Sequence, residues 1–226
     1  MDPLNKPDND LARLVLDSPK YKRWRQSVES HGNQILTLNV LSVVSRRPGT
    51  WYVAFLDCLL LTPEGNCITR CFTLRGESVV IVPVLRCIDN NLFYTVMAEQ
   101  RCVCDGGLHT GFPAGNVDDG ESFLTMACRE LREETGLDVA PDDLVKLSEG
   151  ITLNSSLSDD LVYFYGFRKD VTSAWLDSVN NRSGGVHGEG EYIQVKVFPL
   201  TDCVNMPTTS TLIGLTLVER TFGISV

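Results

Sequence analysis

Histidine is scarce in this chain, at three residues in 226, and none of the eight cysteines stands in a Cys-x-x-Cys pair. The usual sequence signs of a zinc site are therefore missing. Long hydrophobic runs are missing too. No stretch reaches the roughly 18 apolar residues that a membrane-spanning helix needs. The opening MDPLNKPDND carries no apolar signal core, and the closing ISV matches no address signal. Basic charge is in deficit: 20 Lys and Arg against 29 Asp and Glu leave a formal net charge of −9. Such a surface repels nucleic acid and anionic membranes, so neither is expected as a partner. No internal repeat or low-complexity linker is found.

What is present describes an ordinary globular protein, 43% hydrophobic and 22% charged. The length suffices for one substantial domain plus an appendage. The cysteines lie mostly in apolar runs, where a free thiol acts as a small buried hydrophobe. With no secretory signal, a reduced, cytoplasmic protein is expected.

The pattern predicts disorder over 1–8 and one helix over 9–30, with Leu11, Leu14, Leu16, Trp24 and Val28. Three β-rich runs follow at 34–45, 51–61 and 67–74, separated by Arg47-Pro48-Gly49 and Pro63-Glu64-Gly65-Asn66. Strands at 78–87 and 92–99 flank the turn Asp89-Asn90-Asn91. Later come buried strands at 161–167 and 192–198, a short helix over 171–179 and a terminal helix over 209–221. The stretch 183–191, SGGVHGEGE, is too glycine-rich for regular structure. Interleaved helices and strands predict an α/β sandwich.

The most informative segment is GNVDDGESFLTMACRELREETGL, from Gly115 to Leu137. Phe123, Leu124, Ala127, Cys128 and Leu131 make one apolar helical stripe. Asp118 and Asp119 precede the helix, where negative charge suits its N-terminus, and Gly136 stops it. Glu130 and Glu134 share one face, with Glu133 alongside. Like charges at this spacing cost about 0.2–0.5 kcal/mol per pair. A hard divalent cation would offset that repulsion, and Arg129 is placed to orient a carboxylate. A solvated acidic face is the bland alternative.

The fixed points Gly115, Glu121, Arg129, Glu130, Glu133, Glu134 and Gly136, with apolar Leu131 and Leu137, match the Nudix box G-x5-E-x7-R-E-U-x-E-E-x-G-U throughout. Seven identities at fixed spacing arise by chance far less often than about once in a million. Outside the box, Glu99-Gln100-Arg101, Pro113-Ala114-Gly115, Arg75-Gly76 and Gly188-Glu189-Gly190-Glu191-Tyr192-Ile193 resemble the ADP-ribose and ADP-sugar pyrophosphatase branch of Nudix hydrolases. The arrangement is similar to plant-type ADP-sugar diphosphatases. In three places the chain departs from this branch. Arg101 follows Gln100 directly, Gly111-Phe112 precedes the Pro-Ala-Gly, and Asn154-Ser155-Ser156-Leu157 stands where Ser-Pro-Gly is common.

The resemblance implies a Nudix α/β/α sandwich over 77–226, with a helix and β-rich dimerisation arm over 1–76. It implies a homodimer that cleaves the pyrophosphate of ADP-ribose or an ADP-sugar, a nucleoside diphosphate sugar, into AMP and a sugar phosphate. Mg²⁺ or Mn²⁺ would be held by Glu130, Glu134 and the Ala114 carbonyl, assisted by Glu133. Arg129 would orient the acids, and Glu121 would support the geometry. Glu191, or else Glu189, would act as general base from the late loop. Arg75, Arg101 and Glu99 would contact substrate. UDP-sugars, dinucleotides and coenzyme A stay open as substrates, as does a non-catalytic nucleotide-binding module. Trp51, Tyr52 and Phe72 are candidates for base stacking or, more often for aromatics, for the core.

Overall fold

In the computed structural model the described residues are 9–45, 49–117, 120–185, 192–206 and 208–226. The expected disorder over 1–8, and most of the expected turn at Arg47-Pro48-Gly49, lie outside them. The chain divides into two compact units, Met1–Glu77 with Thr152–Leu161, and Ser78–Ile151 with Val162–Val226.

In the first unit the single helix expected over 9–30 is instead two, α1 (Asn9–Asp17) and α2 (Pro19–Ser30). Pro19 is the cause. It has no N–H to donate into a continuing helix and forces the preceding residue toward extended backbone. Ser18 accordingly sits at φ −70°, ψ 152°, and its hydroxyl accepts the Tyr21 N–H, capping α2. An antiparallel sheet follows, β1 (Gln34–Val44), β2 (Val53–Leu61) and β3 (Cys67–Leu74), paired in that order. Alternation along β2 buries Ala54, Leu56 and Cys58. Ala54 and Leu56 join Val15, Tyr21 and Leu74 in a small core. Trp24 and Phe72 stack with centroids 5.0 Å apart, and both pack, partly buried, against that core, as does Trp51. The later segment returns to this sheet, where the Thr73 N–H donates to the Leu157 carbonyl at 2.8 Å.

The second unit is built on β4 (Glu77–Cys87), β5 (Phe93–Arg101), β6 (Leu108–Gly111), β7 (Ala114–Asn116), α3 (Phe123–Thr135), β8 (Val145–Lys146), β9 (Ile151–Thr152), β10 (Leu161–Val171), α4 (Ser173–Val179), β11 (Ser183–Gly184), β12 (Ile193–Pro199) and α5 (Thr209–Phe222). The main path of the sheet runs β11-β12-β5-β4-β10-β8, with β6 on β5, β7 on β4 and β9 on β10. Central β4 is apolar on both faces, as a strand covered on both sides must be. Val79, Ile81, Leu85 and Cys87 face a core shared with Met126, Ala127 and Leu131 of α3 and with Leu176 and Val179 of α4. Val80, Val82 and Val84 face Leu215 and Val218 of α5 on the other side. This is the expected α/β/α sandwich.

Pro83 interrupts β4 without breaking it. The Ile81 and Cys87 N–H groups donate to Pro113 and Leu92 on one flank. Position 83 has the same parity and falls in the gap between the pairings with β7 and β5, where no donor is called for.

Expected strands and helices outside the first helix agree with the structure within a few residues. The short strands β6 to β9 and β11 were not legible. Ser183–Gly184 pairs with β12, correcting the irregular reading of the start of 183–191. Of the cysteines, Cys58, Cys87 and Cys203 are buried, while Cys67, Cys71 and Cys104 are exposed, fewer buried than their apolar surroundings suggested. Burial pushes the Cys203 thiol up to about 12.

Leu131 is fully buried in the α3-side core. Leu131→Ala should cost about 2–5 kcal/mol, read as a lowered denaturation midpoint at unchanged slope. A loss under about 1 kcal/mol would contradict the packing described.

Candidate active site

Helix α3 is defined at both ends. Ser122 (φ −78°, ψ 147°) caps its start by accepting the Thr125 N–H at 3.1 Å. Gly136 ends it in the left-handed region at φ 71° and donates its N–H to the Arg132 carbonyl. Asp118 and Asp119, expected to favour the helix start, lie outside the described residues. The apolar stripe places Met126, Ala127 and Leu131 in the core, which turns the acidic residues toward the β7 end of the sheet.

Arg129 organises them. Its Nε and Nη2 donate to the two oxygens of Glu121 at 3.3 and 3.2 Å. Its Nη1 reaches Glu130 at 3.1 Å and Glu133 at 3.0 Å. One guanidinium therefore ties three carboxylates, and its fork geometry suits the task where a lysine would not. The hydrogen bonds that Arg129 donates to Glu121 outweigh the opposing effect of burial and, with the nearby carboxylate charges, raise its pKa and keep it cationic.

Glu134 is the most enclosed acid, 7% exposed, and its Oε2 accepts the Ala114 N–H at 3.1 Å. Glu130 lies over Gly115 so closely that a Cβ there would come within 2.2 Å of the Glu130 carboxyl carbon. The two carboxylates thus converge on the Ala114–Gly115 backbone. Behind the helix, the Gly185 N–H donates to the Glu133 carbonyl at 2.7 Å. A Cβ on Gly184 would lie 1.9 Å from the Glu134 carbonyl oxygen. The glycines at 184 and 185 therefore let β11 pack against the end of α3.

Beside Glu134 and Ala114 opens a cleft of about 140 Å³, lined also by Gln100, His109, Thr110, Phe112, Thr208 and Ser210. Gln100 and Phe112 belong to segments the sequence marks, whereas no sequence pattern points to His109, Thr110, Thr208 or Ser210. Thr208 and Ser210 are about a hundred residues from β6 in sequence, and no local pattern announces their approach.

Of the expected site residues, the structure gathers Glu121, Arg129, Glu130, Glu133, Glu134 and Ala114. Arg101 donates to the Gly106 carbonyl of its own hairpin turn at 2.6 Å. Glu99 accepts from Thr110 at 3.3 Å and pairs with Lys196 at 3.5 Å. Arg75 belongs to the first unit, where its N–H donates to Asp159 at 2.7 Å and its guanidinium to the Tyr52 hydroxyl at 3.3 Å. Burial raises the Asp159 pKa despite the two backbone donors it accepts from, Arg75 and Gly76. Glu189 and Glu191 lie outside the described residues.

The gathered donors are all oxygens, the chemistry of a hard divalent ion. The missing side chain at Gly115 is what lets the Glu130 carboxylate come down onto the Ala114–Gly115 backbone beside Glu134, so this oxygen set fits such an ion.

The sequence profile of the NUDIX domain matches residues 77–211. The chain belongs to the NUDIX domain family. It is similar to "Nudix hydrolase 14, chloroplastic" of Arabidopsis thaliana, at 24% identity over 83% of this chain. It spans 65% of that relative's length, just under two thirds. It is 29% identical to the "ADP-sugar pyrophosphatase" of Mus musculus, over 79% of each chain. A crystal structure of an "ADP compounds hydrolase" shares the fold at a TM-score of 0.59 and 19% identity, covering 84% of this chain and 94% of that one.

The two glycine contacts predict opposite consequences. Gly115→Ala pushes against a movable carboxylate, so stability should hold within about 1 kcal/mol while Mg²⁺ or Mn²⁺ affinity, by calorimetry, falls at least tenfold. Gly184→Ala pushes against backbone and should cost about 1–3 kcal/mol in a denaturant titration. Equal stability losses would refute the placement of Glu130.

Proposed function

We propose that the protein is a metal-dependent diphosphatase that cleaves the pyrophosphate bond of ADP-ribose or an ADP-sugar. One observation carries the reading: the carboxylates of Glu130 and Glu134 converge on Ala114 and Gly115 at a cleft, with Arg129 tying the neighbouring acids. The similarity to the mouse ADP-sugar pyrophosphatase supports the substrate class.

Glu130, Glu134 and the Ala114 carbonyl, assisted by Glu133, would hold Mg²⁺ or Mn²⁺. Such an ion neutralises phosphate charge and lowers the pKa of a coordinated water. Arg129 orients the acids, and Glu121 anchors Arg129. Water adds to one phosphorus and the bridging P–O bond breaks, giving AMP and a sugar phosphate. The proton of the attacking water passes to a general base, which we assign to Glu191, with Glu189 second. Gly185 is hydrogen-bonded to Glu133, and Glu189 is only four residues further on. Arg75, Arg101 and Glu99 are proposed to contact the substrate.

We further propose a homodimer built through residues 1–76. β1 terminates the first unit's sheet, and Leu36, Val44, Phe55 and Ile68 on its three strands are exposed. An open strand edge with exposed apolar residues invites pairing, and two-fold pairing covers both copies at once. No described helix is long and apolar enough to cross a membrane. We place the protein in the cytoplasm, where its exposed thiols would stay reduced.

Glu134→Gln should abolish release of AMP from ADP-ribose with Mg²⁺, while metal-free thermal stability stays equal or rises slightly. Wild-type turnover would refute the metal assignment. Glu191→Gln should lower kcat by roughly 100- to 10,000-fold with little change in binding. If Glu189→Gln shows that loss instead, the base is Glu189; if neither does, water activation belongs to the box. A panel of ADP-, UDP- and dinucleotide substrates and coenzyme A tests the base preference. Light scattering at micromolar concentration should give twice 25.0 kDa; a monomer mass would refute the dimer.

A further inference from the structure

The β5–β6 hairpin carries a second group of ligating side chains, chemically unlike the box. Cys102 Sγ, one oxygen of Asp105 and a ring nitrogen of His109 lie within 4.8 Å of one another. The turn that presents them is tightly closed. The Cys102 N–H donates to the Gly107 carbonyl at 2.8 Å, and the Gly106 N–H returns to the Cys102 carbonyl at 2.9 Å. Asp105 uses Oδ1 to accept the Gly107 N–H at 2.9 Å, which leaves Oδ2 facing His109 Nε2 at 2.7 Å. Cys102 is half-buried, whereas Asp105 and His109 are exposed, so an ion can enter from solvent.

We propose that Cys102, Asp105 and His109 form a zinc-type metal site, separate from the all-oxygen set on α3. A thiolate, an imidazole and a carboxylate are the three donor types that zinc takes, and a water completes a tetrahedral shell. Ligand atoms in such a shell stand about 3.5 Å apart, given Zn–N and Zn–O near 2.0 Å and Zn–S near 2.3 Å. Asp105 and His109 need open by less than about 1 Å from their hydrogen bond to admit the ion. The Cys-x-x-Cys criterion misses the site because Asp105 stands where the second sulfur would be. His109 also lines the cleft beside Glu134 and Ala114. An ion here therefore pins the hairpin that forms one wall of that cleft, whichever substrate is cleaved.

Co²⁺ titration of the full-length, chelator-treated protein tests this directly, since a thiolate ligand gives a near-ultraviolet charge-transfer band and an all-oxygen site gives none. The wild type should show the band, saturating at one equivalent, and Zn²⁺ should bleach it. Cys102→Ser should abolish the band, and His109→Ala should weaken Co²⁺ binding at least tenfold. Glu134→Gln should leave it unchanged. Zn²⁺ loading should also slow amide exchange across residues 101–109 at least tenfold in the wild type and not in Cys102→Ser. Circular dichroism confirms that each variant is folded. No band in the wild type, or a band that survives Cys102→Ser, overturns the proposal.

Discussion

Four carboxylates crowd one end of the second unit, and the contacts of Arg129 make that crowding tolerable. Glu130, Glu133 and Glu134 repel one another across a single helix face, and Glu121 adds a fourth negative charge. Arg129 answers with bonds to three of the four. The fourth, Glu134, is steadied by a backbone amide instead. Glu134 thereby has its Oε2 held by a main-chain donor, which is stiffer than a side-chain partner. The site depends on this division between a cationic clamp and a backbone donor.

The fold serves that arrangement through close backbone approach. β7 can lie under Glu130 only because position 115 carries no Cβ, and β11 can reach the end of α3 only because position 184 carries none. The apolar stripe of α3 is buried against β4 and its neighbours, which sets the helix rotation and thus where the acids point. Packing and chemistry are two faces of one helix. The same sheet carries the β5–β6 hairpin, whose His109 also lines the cleft.

Much of this was legible in the sequence for definite physical reasons. Helical periodicity separates the buried face of α3 from its acidic face, and left-handed Gly136 marks its end. The continuous apolar run of β4 announces a strand covered on both sides. The break at Ser18–Pro19 is also encoded locally, by a proline that removes a donor, although apolar spacing continues across it. Short strands such as β8 and β9, of two residues each, are held by tertiary neighbours and leave no pattern of their own.

What the sequence by itself determined is therefore local: the identity and spacing of the box residues, the helix that bears them, and the family they define. Which groups meet was decided by tertiary structure alone. The Ala114 amide meets Glu134 across 20 positions, and Thr208 and Ser210 join a cleft wall with Gln100. Arg101 turns to the Gly106 carbonyl in its own hairpin, and Asp105 supplies the third ligand atom beside Cys102 and His109. A helical period encodes which face of an element is apolar. It holds no information on which distant residues the closing of a sheet brings within a hydrogen bond.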